Sequence, residues 1–172
     1  MNYNFSISPS AQINPESVSL TATAEVRQSV SENAPPRIAI ILTNIADSSH
    51  QLRSGFTPPF SMYELSAETD ENQLVCVPPN FPGCPKGDCL PETPQNDCWT
   101  ALKRPEILDS GAIVTLSPGE NLEREYVILN HPSNEICFPT GRYMETDTIQ
   151  AERKQAPNEI SLAVTVTIQN NE

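Results

Sequence analysis

Residues 159–169 read EISLAVTVTIQ. Ile160, Leu162, Val164, Val166 and Ile168 alternate with Ser161, Ala163, Thr165, Thr167 and Gln169. Successive side chains of a strand leave on opposite faces, so a period of two puts the larger apolar groups together on one face. A helix would spread the same residues around its axis. Val, Ile and Thr also suit a pleated, half-buried surface. The stretch therefore predicts an antiparallel strand with one dry face and one wet face.

The same alternation recurs upstream. In VSLTATAEV (18–26), Val18, Leu20, Ala22, Ala24 and Val26 share a face, and in PRIAIILTN (36–44) Ile38, Ile40 and Leu42 do so. Weaker strands are read at GFTPPFSMY (55–63), NQLVCV (72–77), EILDSGAIVTL (106–116), ENLEREYVIL (120–129) and TGRYMETDTI (140–149). The first is read as a broken edge piece, because Pro58 and Pro59 cannot donate to a ladder. A helix competes at 120–129, where Leu122, Tyr126 and Leu129 share a helical face behind a Ser117/Glu120 capping pair. Its strand neighbours favour a strand there. The sum is an all-β antiparallel β-sandwich of about seven or eight strands, separated by Pro, Gly, Asn and Asp turn signals.

The 172 residues fit one domain with a real core. Residues 1–17 read as an irregular segment or tether, 18–169 as the sandwich, and about 64–100 as a long insertion between two of its strands. Seventeen prolines oppose long helices. No run approaches the roughly 18 apolar residues of a membrane span. The opening residues lack the basic start and apolar run of a secretory signal, so the expected setting is either cytoplasmic or that of a mature chain. Net charge is −12, from 22 acidic and 10 basic residues. That excess repels phosphate backbones and anionic lipid, which excludes nucleic acid as a partner. An acidic surface poor in lysine (Lys86, Lys103 and Lys154 are the three) also suits work in high salt.

CVPPNFPGCPKGDCLPETPQNDCW, residues 76–99, holds four of the five cysteines. Zinc requires two close pairs of ligands. Cys84 and Cys89 form one, while Cys76 and Cys98 stand apart and no histidine is near. A redox C-x-x-C is absent. Disulfides suit a long irregular loop with little core of its own, and spacing alone leaves their pairing open. They also argue for an oxidising compartment. Asp70, Glu71, Asp88 and Asp97 lack the alternating pattern of a calcium loop and read as a solvated acidic face. His50 and His131 lie in polar contexts and read as exposed loop residues, although a serine and a carboxylate gathered beside either one would favour a hydrolase. No phosphate-binding, dinucleotide or nucleophile-elbow motif is present, and neither a cofactor nor a metal is expected.

The order of the phrases LTN, GFTPPFS, DCW, LSPGE, REYVIL and CFPTGRY resembles that of haloarchaeal immunoglobulin-like β-sandwich surface proteins, often predicted lipoproteins. More distantly it resembles intracellular proteinase-inhibitor-like sandwich domains. The resemblance covers roughly residues 18–168. It implies an immunoglobulin-like sandwich on the outside of a salt-loving cell, carried by a lipid anchor upstream, and supplies no catalytic residues. It also implies the pair Cys98–Cys137, since DCW and CFPTG are its two cysteine phrases. A second bridge is then expected among Cys76, Cys84 and Cys89. The expected function is a non-catalytic extracellular binding or structural module. Its partner would be a protein or a cell-envelope component, met through Pro79, Phe81, Lys86 and Trp99 as a candidate binding loop. The alternatives are a proteinase inhibitor acting through the Cys76–Cys89 loop and an unrecognised hydrolase. Trp99 and Tyr126 are alternatively core anchors, with Trp99 packed on the bridge.

Overall fold

The computed structural model describes residues 3–15, 19–153 and 156–171. Among these the elements are ten strands: β1 Phe5–Asn14, β2 Leu20–Gln28, β3 Arg37–Asn44, β4 His50–Ser54, β5 Glu64–Ala67, β6 Gln73–Val77, β7 Ala112–Leu116, β8 Asn121–Asn130, β9 Gly141–Arg153 and β10 Ala156–Asn170. Their ladders are antiparallel and join in one path, β1-β10-β9-β5-β6-β8-β3-β2, with β4 bonded to both β9 and β7. The two ends of the path, β1 and β2, come back against each other. The fold is a nearly closed antiparallel barrel, in place of the expected stack of two sheets.

Period-two alternation places the core as read. Ile160, Leu162, Val164, Val166 and Ile168 of β10 are buried, as are Ile38, Ile40 and Leu42 of β3. Residues 121–130 are a strand, because Tyr126 and Ile128 must face the same interior as Leu74 and Tyr143. Val18 lies outside the described residues, and β2 begins at Leu20.

Four expectations are corrected. The segment expected to be irregular or a tether contains β1, paired residue for residue with β10 from Phe5↔Asn170 to Asn14↔Ser161. The insertion begins later than residue 64, because β5 and β6 lie in the middle of the sheet, and Cys76 on β6 is fully buried. β4 is an added strand whose single buried aliphatic side chain, Leu52, gave no alternation to read. Residues 55–63 form no edge strand. They make a loop with Thr57, Pro58, Pro59, Phe60 and Tyr63 buried. Tyr126 Oη accepts the Phe60 N–H at 3.0 Å, Arg124 Nε donates to Pro58 O at 2.7 Å, and Asp147 Oδ2 accepts the Ser61 N–H at 2.7 Å. The prolines suit this loop because it uses side chains of β8 and β9, not a ladder, to satisfy its backbone.

The barrel fails to close at β1 and β2 for a local reason. Asn171 N donates to Asn4 O, so even-numbered residues of β1 bond to β10. Odd-numbered ones turn their backbone groups toward β2. Pro9 sits at the centre of that edge and has no N–H to give. The inward side chains Phe5, Ile7 and Ala11 are consequently only half-buried.

Candidate functional site

Residues 78–111 connect β6 to β7 without a named strand. Cys84 is bonded to Cys89 and Cys98 to Cys137, while Cys76 is the free thiol. The inner bridge thus closes a short ring, and the outer one ties the end of the loop to the chain entering β9. Main-chain bonds then fasten the loop to β8 and fold it on itself. Ala101 N donates to Asn130 O, Asn130 N to Trp99 O, Leu102 N to Cys89 O, and Glu106 N to Gly83 O. Gly83 is required by closeness: a Cβ there would stand 2.4 Å from Glu106 O and 2.5 Å from the Phe81 ring.

The candidate binding loop is therefore mostly turned inward. Phe81 is buried, its ring 4.3 Å from that of Tyr63. Trp99 is buried and donates its indole N–H to Ser31 O at 2.7 Å. Neither can meet a partner, and the reading of them as contact residues is corrected. Pro79 is half-buried and Lys86 exposed. The exposed tip is Pro85–Asp88, inside the Cys84–Cys89 ring. It is tightly wound: the N–H groups of Asp88, Cys89 and Leu90 all point to Pro85 O. A segment that lies in a protease cleft as an added strand is extended, so this wound turn opposes the inhibitor reading. The acidic residues are dispersed. Asp88 pairs with Lys103 at 2.6 Å, and Asp70 accepts the Asn72 N–H of its own turn. Among the described residues no group of three or more His, Cys, Asp or Glu is placed to hold a metal ion.

Both histidines are buried, which corrects the expectation of exposed loops. His50 opens β4. His131 follows β8 and joins residues far apart in sequence. Its Nε2 lies 2.9 Å from Glu64 Oε2, and its Nδ1 lies 2.6 Å from Ser133 Oγ and accepts the Ser133 N–H at 3.1 Å. With Nδ1 accepting the Ser133 N–H, Nε2 is the ring nitrogen whose N–H is given to Glu64. The Ser133 hydroxyl, 2.6 Å away, then shares the single Nδ1 lone pair with the Ser133 N–H. Arg104 holds the other carboxylate oxygen through Nε at 3.0 Å and Nη2 at 2.9 Å. Arg104, Glu64, His131 and Ser133 thus form a line of hydrogen bonds with a base beside a hydroxyl.

Acyl transfer also needs donors for a developing oxyanion. The Ser133 N–H is taken by His131. The Asn134 side chain is committed to Gln73 and Asn130 through its amide nitrogen, and accepts the Gln73 N–H through its oxygen. Ser133 opens onto a cavity of about 370 Å³ lined also by Glu71, Asn72, Glu135 and Ile136, where carboxylates oppose negative charge. Glu64 and His131 stand 67 residues apart, so no local pattern announced the cluster; the nearness of Ser133 to His131 was the only sequence signal.

No protein-family model matches the chain, and no curated protein or solved structure matches it significantly. Among the described residues no helix is long and apolar enough to cross a membrane.

Proposed function

We propose that this chain is a non-catalytic binding or structural module that works in an oxidising compartment, at the cell surface or outside it. One observation carries the reading: four of its five cysteines are joined in two bridges that brace an acidic surface loop. Such bonds persist in secreted and surface proteins and are rare in reducing cytosol. The phrase-level resemblance to haloarchaeal immunoglobulin-like surface proteins supports the same setting, including a lipid anchor, and is the sole support for immunoglobulin-like kinship of the barrel. The partner is a protein or an envelope component met by the exposed Pro85–Asp88 tip. The test is peptide mapping of thiol-blocked, non-reduced protein taken from its native source. The expected result is the Cys84–Cys89 and Cys98–Cys137 pairs with one blocked thiol per chain. Five blocked thiols would overturn the reading.

The line Ser133–His131–Glu64 favours a second reading, an unrecognised hydrolase. It ranks below the first because neighbouring donors are committed and the adjoining cavity is acidic. Fluorophosphonate treatment followed by peptide mass spectrometry decides between them. Stoichiometric labelling of Ser133 would raise the hydrolase to first place; an unlabelled Ser133 removes it.

A further inference from the structure

The seam between β1 and β2 widens into a cavity of about 430 Å³ at the Phe5 end of β1. We propose that this cavity binds an uncharged, largely apolar small molecule that carries a hydrogen-bond acceptor such as a ketone oxygen. Its volume lies in the range of small-molecule sites, roughly 300–1,000 Å³, and barrel mouths are a usual place for them. Tyr3, Phe5, Ile7, Val26, Val30 and Pro36 give it an apolar wall. The other lining residues, Ser6, Ser29 and Asn171, are neutral, so among the described residues none that lines the cavity bears a charged side chain.

The acceptor is called for by Tyr3. Its hydroxyl oxygen is buried, and its own proton has no acceptor among the described residues. It lies beside the indole of Trp99, whose N–H is already given to Ser31 O. A buried hydroxyl without an acceptor is unfavourable, and because Tyr3 lines the cavity, a turn of its side chain on binding would present that proton to a ligand oxygen. Glu32 and Asp97 are close enough to act on the phenol, which stays protonated through the neutral range because burial and these carboxylates raise its pKa. The same negative field repels an anionic ligand. That field favours a cation, but no described lining residue offers a carboxylate contact to replace the water that an ammonium ion would lose. The site is separate from the Cys84–Cys89 tip, so it stands whether or not that tip meets a partner.

Trp99, the single tryptophan, provides the readout. The probe is the neutral naphthyl ketone prodan, with the anionic 1-anilinonaphthalene-8-sulfonate as comparator. Prodan is expected to bind saturably, one per chain, with energy transfer from Trp99. The anionic dye should bind at least about tenfold more weakly. Tyr3→Phe keeps the ring and should weaken prodan about fivefold or more. Val26→Arg, at a residue 41% exposed on the β2 edge, should abolish binding at an unchanged circular dichroism spectrum. The proposal is overturned if prodan does not saturate, if the anionic dye binds as tightly, or if Val26→Arg binds prodan like the parent chain.

Discussion

Asp147 shows burial and hydrogen bonding pulling against each other at one carboxylate. Burial raises its pKa; the N–H groups of Ser61 and Thr148 lower it by a smaller amount, and Glu145 adds to the rise. The net shift is upward from 3.8. A folded-state pKa above the unfolded one means stability that is complete below the unfolded value and lost as pH climbs through the folded value. Asp147→Asn retains an oxygen for Ser61 and removes the charge. Denaturant unfolding should therefore show this variant gaining on the parent chain as pH rises from about 3 to about 6. Asp147→Ala orphans the Ser61 N–H and should cost about 1–3 kcal/mol across that range. Tyr126→Phe, which leaves the buried Phe60 N–H without its acceptor, should cost a similar ~1–3 kcal/mol. Part of this was visible in the sequence. Tyr143, Asp147 and Ile149 share one parity, so a carboxylate on the core face could be read from the spacing alone. The inward turn of Phe81 and Trp99 could not, because their partners Tyr63 and Ser31 belong to distant segments.

Strands were legible in proportion to the contrast of their alternation. β3 and β10 carry large apolar residues at every second position and emerge with their core faces as read. β1 alternates too, as Phe5, Ile7, Pro9, Ala11 and Ile13, but its proline and small residues resemble a linker. β5 is four residues long with one buried side chain, Leu65, too little for any periodic signal. The 55–63 loop was misread because proline forbids a ladder without saying what replaces it. The two bridges act on this same scale of segments. Loop-closure entropy grows with the residues enclosed, and the sequence separations are 5 and 39. Replacing Cys98 and Cys137 by alanine should cost about 4 kcal/mol, and replacing Cys84 and Cys89 about 2 kcal/mol. Urea titrations of the two double variants check the order; equal costs would mean that strain or denatured-state structure outweighs chain entropy.

Closure of the whole barrel was the feature least available to sequence reasoning. It depends on β9, which bonds to β10 from Gly141 to Arg153 and also to β5 at Tyr143 and Met144 and to β4 at Gln150–Glu152. No one-dimensional pattern shows a strand serving three neighbours. Net charge, by contrast, is a whole-molecule property read without any structure. Exposed pairs such as Lys103–Asp88 and Arg142–Glu68 contribute little and weaken with salt. Repulsion within a charge of −12 weakens as well, and with 22 acidic residues against 10 basic it dominates. The melting temperature should therefore rise as sodium chloride goes from about 0.05 M to about 2 M. A flat or falling curve would show that paired charges, not excess ones, govern stability.

The burial of Cys76 has a consequence for the way the protein denatures. Within β6 its thiol is shielded and burial pushes its pKa up, so it is inert while the sheet holds. Unfolding returns it to an ordinary value near 8.5, on a chain that also holds two disulfides. Its thiolate then attacks a sulfur of either bridge, forming a new disulfide and expelling a different cysteine as thiolate, so the count of one thiol is conserved while the pairing is not. Heating at about pH 8.5 should trap scrambled isomers that cannot rebuild the barrel, whereas heating at about pH 4 leaves the thiol protonated and the pairing intact. Two successive calorimetric scans would show this as a missing second transition in alkali and a full one in acid. Cys76→Ala, though destabilised by its cavity, should recover the second transition at both pH values, which would locate the hysteresis of the whole molecule in one sulfur atom at its centre.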